Sequence, residues 1–504
     1  MSSPSERPRL PPEVEVIVVG AGTAGCVLAR RLVDRGLSVA LFEAGYDDAN
    51  PAVADPVRMH ELWDSPLDWA NRSVPQPSAH NRTLHLPRGR VVGGSHALNG
   101  MIWVRGHHAD YDTWAYLGSP NWSWADVEPV FGRIESSGGG PQPVLADYQP
   151  DPVHRSIAEA AHQAGIPHDP NCNDGAPEGF SYTQLTVAGG HRVTTADSYL
   201  APVRTSPLLH LVTGAAVSRL LFEGSRCVGV QWHDGAEHLQ LRAGEQVILT
   251  AGALGSPALL LRSGVGDPDR LRPLGIDVVA PLRGVGRNLQ DHWLVPVIFS
   301  TTRQIGTPSG LPHCQSHLFW RSRSQLASPD LQPIHFSTPL RADWMPGPLD
   351  GFTLMAGLVR PASRGSVTLA DARSTVAPLV DPRVLTAPED LTALCAAVRL
   401  CQQIGEQEAL REEWGAAQMY PGTLANDERS LRDYVRETVV TYHHQSGTCM
   451  MGASEDSVVS SRLSVHGVDR LSVADASIMP TVTTGNTNAP TAMIAERAAQ
   501  FLGS

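Results

Sequence analysis

EVEVIVVGAGTAGCVLARRLVDRGLSVALFEAG, residues 13–45, is the stretch whose reading decides the fold. Val14 to Val19 is an apolar, β-branched run of the kind buried on both faces of a parallel sheet. Gly20, Gly22 and Gly25 follow in GxGxxG spacing. Ala24, Leu28 and Leu32 then recur at helical intervals, which predicts a helix laying one stripe on the sheet, and Gly36 is placed to end it. Leu37 to Phe42 reads as a second strand, finishing at Glu43. In such a unit Gly20 permits the tight turn, Gly22 lets backbone approach a pyrophosphate, and Gly25 lets helix and strand pack closely. The helix N-terminus offers unpaired N–H groups to the phosphates. Glu43 can accept hydrogen bonds from both ribose hydroxyls, and its charge would repel a 2′-phosphate, which disfavours NADP. The unit alone does not separate FAD from NAD.

A chain of 504 residues exceeds one ordinary core, so two domains or a domain with large insertions are expected. Charged residues at 18% and a hydrophobic share of 42% fit a folded globular protein. A net charge of −12 without a dense basic run makes nucleic acid and anionic membrane surfaces poor candidate partners. Seven cysteines (26, 172, 227, 314, 395, 401 and 449) stand singly, the pattern of reduced thiols in a cytoplasmic protein. The opening MSSPSERPRLPPEVEV has no apolar segment behind its charges, so no secretory signal is expected, and no apolar run is long enough to predict a membrane span.

LPRGRVVGGSHALNGMIWVRGHHADYD, residues 86–112, adds a second place where backbone can come close to a ligand, at Gly93-Gly94. This segment resembles the first signature of the glucose–methanol–choline oxidoreductases, a family of FAD enzymes, with one departure: His96 stands where the family usually has Ser or Thr. The resemblance continues through LTAGALGSPALLLRSGVG (249–266), VGRNLQDH (285–292), RPASRGSVTLA (360–370), HHQSGTCMMG (443–452) and LSVADASIMPTVTTGNTNAPTAMIAERAA (471–499). It implies an α/β plus α+β architecture, with a Rossmann-like FAD-binding domain and an inserted antiparallel-sheet substrate domain. Residues 12–155, 190–294 and 451–504 are expected to form the discontinuous FAD domain, and 156–189 and 295–450 the substrate domain. The resemblance implies a cofactor site made of Gly20, Gly22, Thr23, Ala24, Glu43, Ala44, Arg90, Val92, Gly94, Asn99, Gly100, Met101, Val217, Ala251, Asp475, Ala476, Asn488, Pro490 and Thr491. Within it Asn99 would lie near the isoalloxazine, Val217 backbone at the adenine, and Asp475-Ala476 at the ribityl–phosphate portion. Some relatives tether FAD through a histidine of the first signature. That position here is Leu98, so the FAD is expected to be non-covalent. His96 reads equally as a neighbour of the cofactor or as a packed, hydrogen-bonded loop residue.

TVVTYHH, residues 438–444, is β-rich and predicts an extended segment, whose adjacent side chains point to opposite faces. One at most of His443 and His444 can then face a flavin, and the family pattern His-x-x-Gly-Thr selects His444. A metal site is not expected: the histidines and Cys449 have no second ligand pair at useful spacing. Alcohol oxidation wants an imidazole, which can take the hydroxyl proton near neutral pH while hydride passes to flavin N5. The resemblance makes Asn488 the partner of His444; Asn-Ala-Pro equally reads as a helix start with Asn488 as N-cap. GFTLMAGLVRP and GSVTLA alternate as strands of an antiparallel sheet would, and Asp390 to Gln407 reads as a helix. Phe319, Trp320, Phe336, Trp344, Phe352 and Met355 are candidate pocket linings or core residues. An aromatic roof favours a primary alcohol with a benzylic or heterocyclic body, reoxidation falling to O₂ or a quinone-type carrier. The family also holds hydroxynitrile lyases, which keep FAD and the histidine without net redox, and these are the alternative. No G-x-S-x-G is present, which excludes a serine hydrolase of that type. The expected assembly is a monomer or homodimer.

Overall fold

A computed structural model describes residues 10–46, 50–234, 237–342 and 344–502. The opening unit forms as read. Strand Glu13–Val19 lies at the centre of a seven-stranded sheet, parallel to Val39–Phe42 on one side and to Glu237–Leu249 on the other. Leu209–Val212 extends the first side, Arg226–Asp234 and Val217–Glu223 form an antiparallel meander on the second, and Leu471–Val473 from the far end of the chain also pairs with Glu237–Leu249. Helix Thr23–Val33 buries Ala24, Leu28 and Leu32 against this sheet. Gly36, at φ +85°, closes it with an N–H bond to the Val33 carbonyl. The second strand starts at Val39 rather than Leu37, because the Leu37 N–H is still spent on the helix end, at the Leu32 carbonyl.

A second seven-stranded sheet runs Ala417–Tyr420, Trp293–Ser300, Gly351–Leu358, Ile334–Phe336, Ser316–Phe319, Gly179–Tyr182, with Val440–Thr441 also on Trp293–Ser300. All its pairings are antiparallel. The expected alternation fails in Gly351–Leu358, where every residue is buried, because helix Pro388–Gly405 covers the other face. Gly405 is part of that packing: a Cβ there would sit 1.9 Å from the Phe299 ring. Ser366–Thr368, from GSVTLA, lies outside this sheet and pairs with Leu379–Asp381 alone. Three domain boundaries shift. The cut at 155/156 falls within helix Pro152–Gln163, whose Val153, Ile157, Ala160 and Ala161 belong to the second core. Strand Trp293–Ser300 belongs to the second sheet from its first residue. The chain has returned to the first body by Gly447–Cys449, before residue 451, through N–H bonds to Ala476 and Ser477. Among the described residues no helix is long and apolar enough to cross a membrane.

Candidate active site

Two backbone turns meet at the carboxyl ends of the parallel strands. Gly20 turns at φ +107°, and Gly93 donates its N–H to the Ala21 carbonyl at 2.8 Å. Gly94 sits at φ +55° so close to the first turn that a Cβ would fall 2.6 Å from Gly22 Cα, and a Cβ on Gly25 would meet the Gly20 carbonyl at 1.9 Å. Glu43 stands at the strand end as expected, its two carboxylate oxygens accepting the N–H groups of Ala21 at 3.0 Å and Gly45 at 2.9 Å. Burial pushes this carboxyl up to about 7, against the pull of those N–H donors and of Arg90. Ala44 is half-buried beside it, Val92 is buried with its N–H on the Tyr46 carbonyl, and Arg90 is exposed and lies over the Trp69 ring.

The first-signature loop is held by an arginine that the sequence did not single out. Arg192, 4% exposed, donates from one guanidinium nitrogen to the carbonyls of His96 and Asn99 and to Asn99 Oδ1 at 2.8 Å, and from Nε to the Val53 carbonyl. Asn99 Oδ1 also accepts the Met101 N–H, which follows the half-buried Gly100 and holds Met101 at φ +62°. His96 is a packed loop residue: Nε2 bonds Thr186 Oγ1 at 3.0 Å and Nδ1 accepts the Thr195 N–H. Leu98 is buried in a small apolar cluster with Leu62, Leu67 and Ala97.

From the C-terminal part, Asp475 turns its carboxylate inward. Oδ2 accepts from the Gly252 N–H and Ser256 Oγ, stapling the helix that starts after Ala251, while Oδ1 accepts the Ser477 N–H. Ala476 gives its carbonyl to Gly447. Val217 begins its strand beside Trp232. Helix Asn488–Phe501 carries Pro490 and Thr491 in its first turn, the latter bonded to the Thr487 carbonyl. The N-cap position belongs to Thr487, not Asn488. Asn488 Oδ1 accepts from Thr23 Oγ1 at 2.7 Å, joining the two helix starts, and its Nδ2 is buried without a partner.

His443 is not extended but left-handed, at φ +67°. That turn sends its ring against Trp63, and its carbonyl accepts from Arg88, while His444 faces the other way. The Asp291 carboxylate fixes the turn, accepting the His444 N–H at 2.8 Å together with Thr441 Oγ1 and Gln445 Nε2. Burial pushes Asp291 up to about 6. The His444 ring stacks on Tyr442 at 4.4 Å, and its Nδ1 lies 2.9 Å from His292 Nδ1. Its Nε2 lies 3.3 Å from an asparagine amide, and that asparagine is Asn486, not Asn488. Burial, then the neighbouring His292, His443 and Arg88, hold the His444 imidazole well below its usual range, so it is neutral at physiological pH.

Beyond Tyr442 an apolar cluster contains Met101, Ile102, Cys314, Phe319, Phe336 and Met355. It continues through Cys314 and Phe336 into a crevice lined by Val57, Met59, His60, Gly100 and His313. The other candidate aromatics lie elsewhere: Phe352 stacks on Phe299 in the second core, Trp320 packs at that core's edge, and Trp344 is exposed. Among the described residues, Asp64, Asp68 and His85 are the one group of metal-ligand type to come together. Asp68 accepts three backbone N–H groups and contacts His85, and Asp64 pairs with Arg72.

Two family models described as GMC oxidoreductase match residues 14–294 and 361–495. Choline dehydrogenase, mitochondrial, of Mus musculus is 37% identical over 97% of this chain and 89% of its own. Oxygen-dependent choline dehydrogenase of Brucella suis biovar 1 is 34% identical over 97% and 95%. The crystal structure of pyridoxine 4-oxidase from Mesorbium loti superposes with a TM-score of 0.93 at 33% identity, covering 97% of this chain and 99% of that one.

Proposed function

Because the chain belongs to the GMC oxidoreductase family, FAD enzymes acting on CH–OH groups, we propose that it oxidises a primary alcohol carried on a neutral benzylic or heterocyclic ring to the aldehyde. The observation that carries this reading is the pairing of His444 Nε2 with the Asn486 amide, 3.3 Å apart and next to an apolar, aromatic cluster. A hydroxyl placed between them would donate its proton to the imidazole nitrogen and accept from the amide N–H, which stabilises negative charge growing on that oxygen. Asp291 fixes the backbone of His444, and Tyr442 fixes the plane of its ring. The crevice beside the apolar cluster is lined without a carboxylate, so a quaternary ammonium such as that of choline would lack a counter-charge there.

The residues present fit FAD, which supplies the hydride acceptor when bound. Gly22 and Gly94 bring two backbone turns into contact with no side chain between them, Glu43 is anchored at the end of its strand, and the first turn of helix Asn488–Phe501 has no side-chain cap. Attachment is non-covalent in this reading, since Leu98 is an apolar residue at the tether position and both nitrogens of His96 are engaged. Gly94→Ala is expected to yield protein that has lost most of its FAD, read as flavin absorbance per protein. Full flavin content would mean that the two turns do not meet. The same reading includes a cytoplasmic location, which seven buried cysteine thiols outside any disulfide support.

The deciding experiment mixes enzyme and candidate alcohols without oxygen. Ring-bearing primary alcohols are expected to bleach the flavin faster than choline; the reverse order would overturn the substrate reading. A flavin that no alcohol bleaches would favour the lyase alternative. Admitting O₂ and assaying peroxide, against turnover of a quinone, assigns the acceptor. Asn486→Ala should slow bleaching by roughly 10²-fold, as loss of a charge-stabilising donor does. Asn488→Ala is expected instead to reduce FAD content, because its amide bonds Thr23.

A further inference from the structure

Behind His444 a row of polar side chains runs from the first body into the second sheet. His292 Nδ1 lies 2.9 Å from His444 Nδ1, and His444 Nε2 lies 3.3 Å from Asn486 Nδ2. Asn486 Oδ1 is 3.1 Å from Gln332 Nε2, which is also 3.1 Å from His317 Nδ1. Each link needs one donor and one acceptor, so the row admits two opposite polarities. One leaves a lone pair on His444 Nε2. The other puts a proton there, and the nitrogen can then accept nothing from a substrate.

The amide orientations decide between them. Asn486 turns Nδ2 to His444 Nε2 and Oδ1 to Gln332 Nε2. An N–H facing Nε2 needs a lone pair there, so His444 carries its proton on Nδ1 and donates it to His292 Nδ1. Asn486 Oδ1 in turn needs a donor. Gln332 supplies one. Its two amide protons meet Asn486 Oδ1 and His317 Nδ1, and its backbone is pinned by an N–H bond to the Gly357 carbonyl at 3.0 Å. The side chain is wholly buried, where a hydrogen bond is electrostatically stronger than in water.

We propose that Gln332 is a positioning residue for alcohol oxidation: its amide orients Asn486 and so holds His444 as the tautomer whose Nε2 accepts the hydroxyl proton. This rests on the reading of His444 and Asn486 above.

The test is a double-mutant cycle on the FAD-loaded enzyme, read as the rate of anaerobic flavin bleaching by a reducing alcohol. Gln332→Met keeps the volume and removes both donors. It should slow bleaching about tenfold, the effect of one buried hydrogen bond. The acid limb of the pH–rate profile should move up by roughly a unit, because a freed amide can turn its carbonyl to Nε2 and favour the protonated ring. In the Asn486→Ala background the same change should cost less than about twofold, since the residue it acts through is gone. Equal losses in both backgrounds, or no loss and no pH shift in Gln332→Met, would overturn the inference while leaving the site reading intact. Full activity of Asn486→Ala alone would sink the site reading and the inference together. Should Gln332→Met fail to retain flavin, Gln332→Asn, which withdraws the amide by one methylene, carries the same cycle.

Discussion

Replacing His444 by alanine is expected to slow anaerobic flavin bleaching by ~10²–10⁴-fold, the usual worth of a positioned general base, while FAD stays bound. The cofactor should survive because the turns that form its cradle belong to Gly20–Gly25 and Gly93–Gly94, and the change leaves those contacts intact. The rate should fall because one ring nitrogen of His444 faces Asn486 and the other is committed to His292. His443→Ala is the internal control. Its ring lies against Trp63, so the rate should change little. An His444→Ala enzyme with undiminished bleaching would remove the imidazole from the mechanism, and a large loss in His443→Ala would reverse the assignment of the pair.

How much of this was legible in the sequence depended on whether the deciding interaction was local. The unit from Glu13 to Glu43 declared itself because apolar run, glycine spacing, helical stripe and terminal acid all lie within one βαβ span. The family pattern His-x-x-Gly-Thr pointed to His444, although the left-handed turn at His443 was not foreseen; it depends on Asp291, far back in the chain, gripping the His444 backbone. Asn486 and Asn488 sit two residues apart in one motif. What separates them is where the helix begins: it starts at Asn488, whose oxygen is taken by Thr23, and leaves Asn486 in the loop beside His444. No periodicity carries that information. Arg192 and Gln332 were missed for a similar reason. Each is a single polar residue with no neighbouring signal, and its meaning comes from partners brought together only by the fold. The strand Gly351–Leu358 was read as alternating, with one face over the active site, because the helix that buries its other face, Pro388–Gly405, lies elsewhere in the chain.

The flavin-loaded protein should also be sharply labile to mild acid. Seven buried histidines are held below their usual range, chiefly by burial: His96, His154, His292, His317 and His443 down to about 3, and His335 and His444 well below 6.5. Unfolded, each would titrate near ~6.5, so below that pH the unfolded chain binds protons that the folded chain refuses. Their contribution to stability is complete above ~6.5 and is lost as the pH falls toward the folded values, at about 1.4 kcal/mol per unit for each. Four buried carboxyls work in the opposite direction. Glu43 and Asp291 are raised to about 7 and about 6, and Asp169 and Asp475 are raised as well, so the fold keeps protons that the unfolded chain releases. Seven groups against at most four leave roughly three protons or more taken up on unfolding between pH ~5 and ~6, a slope of order 4 kcal/mol per unit. Folded proteins hold only about 5–15 kcal/mol in all, so one to three units of acidification should consume it. Urea midpoints measured from pH 7.5 downward should therefore collapse before pH ~4.5, with the slope reporting the proton uptake. A midpoint that stays flat to pH ~5 would mean that these histidines are protonated or solvated in the fold. In that case the neutral, lone-pair-bearing imidazole required of His444 would lose its basis as well.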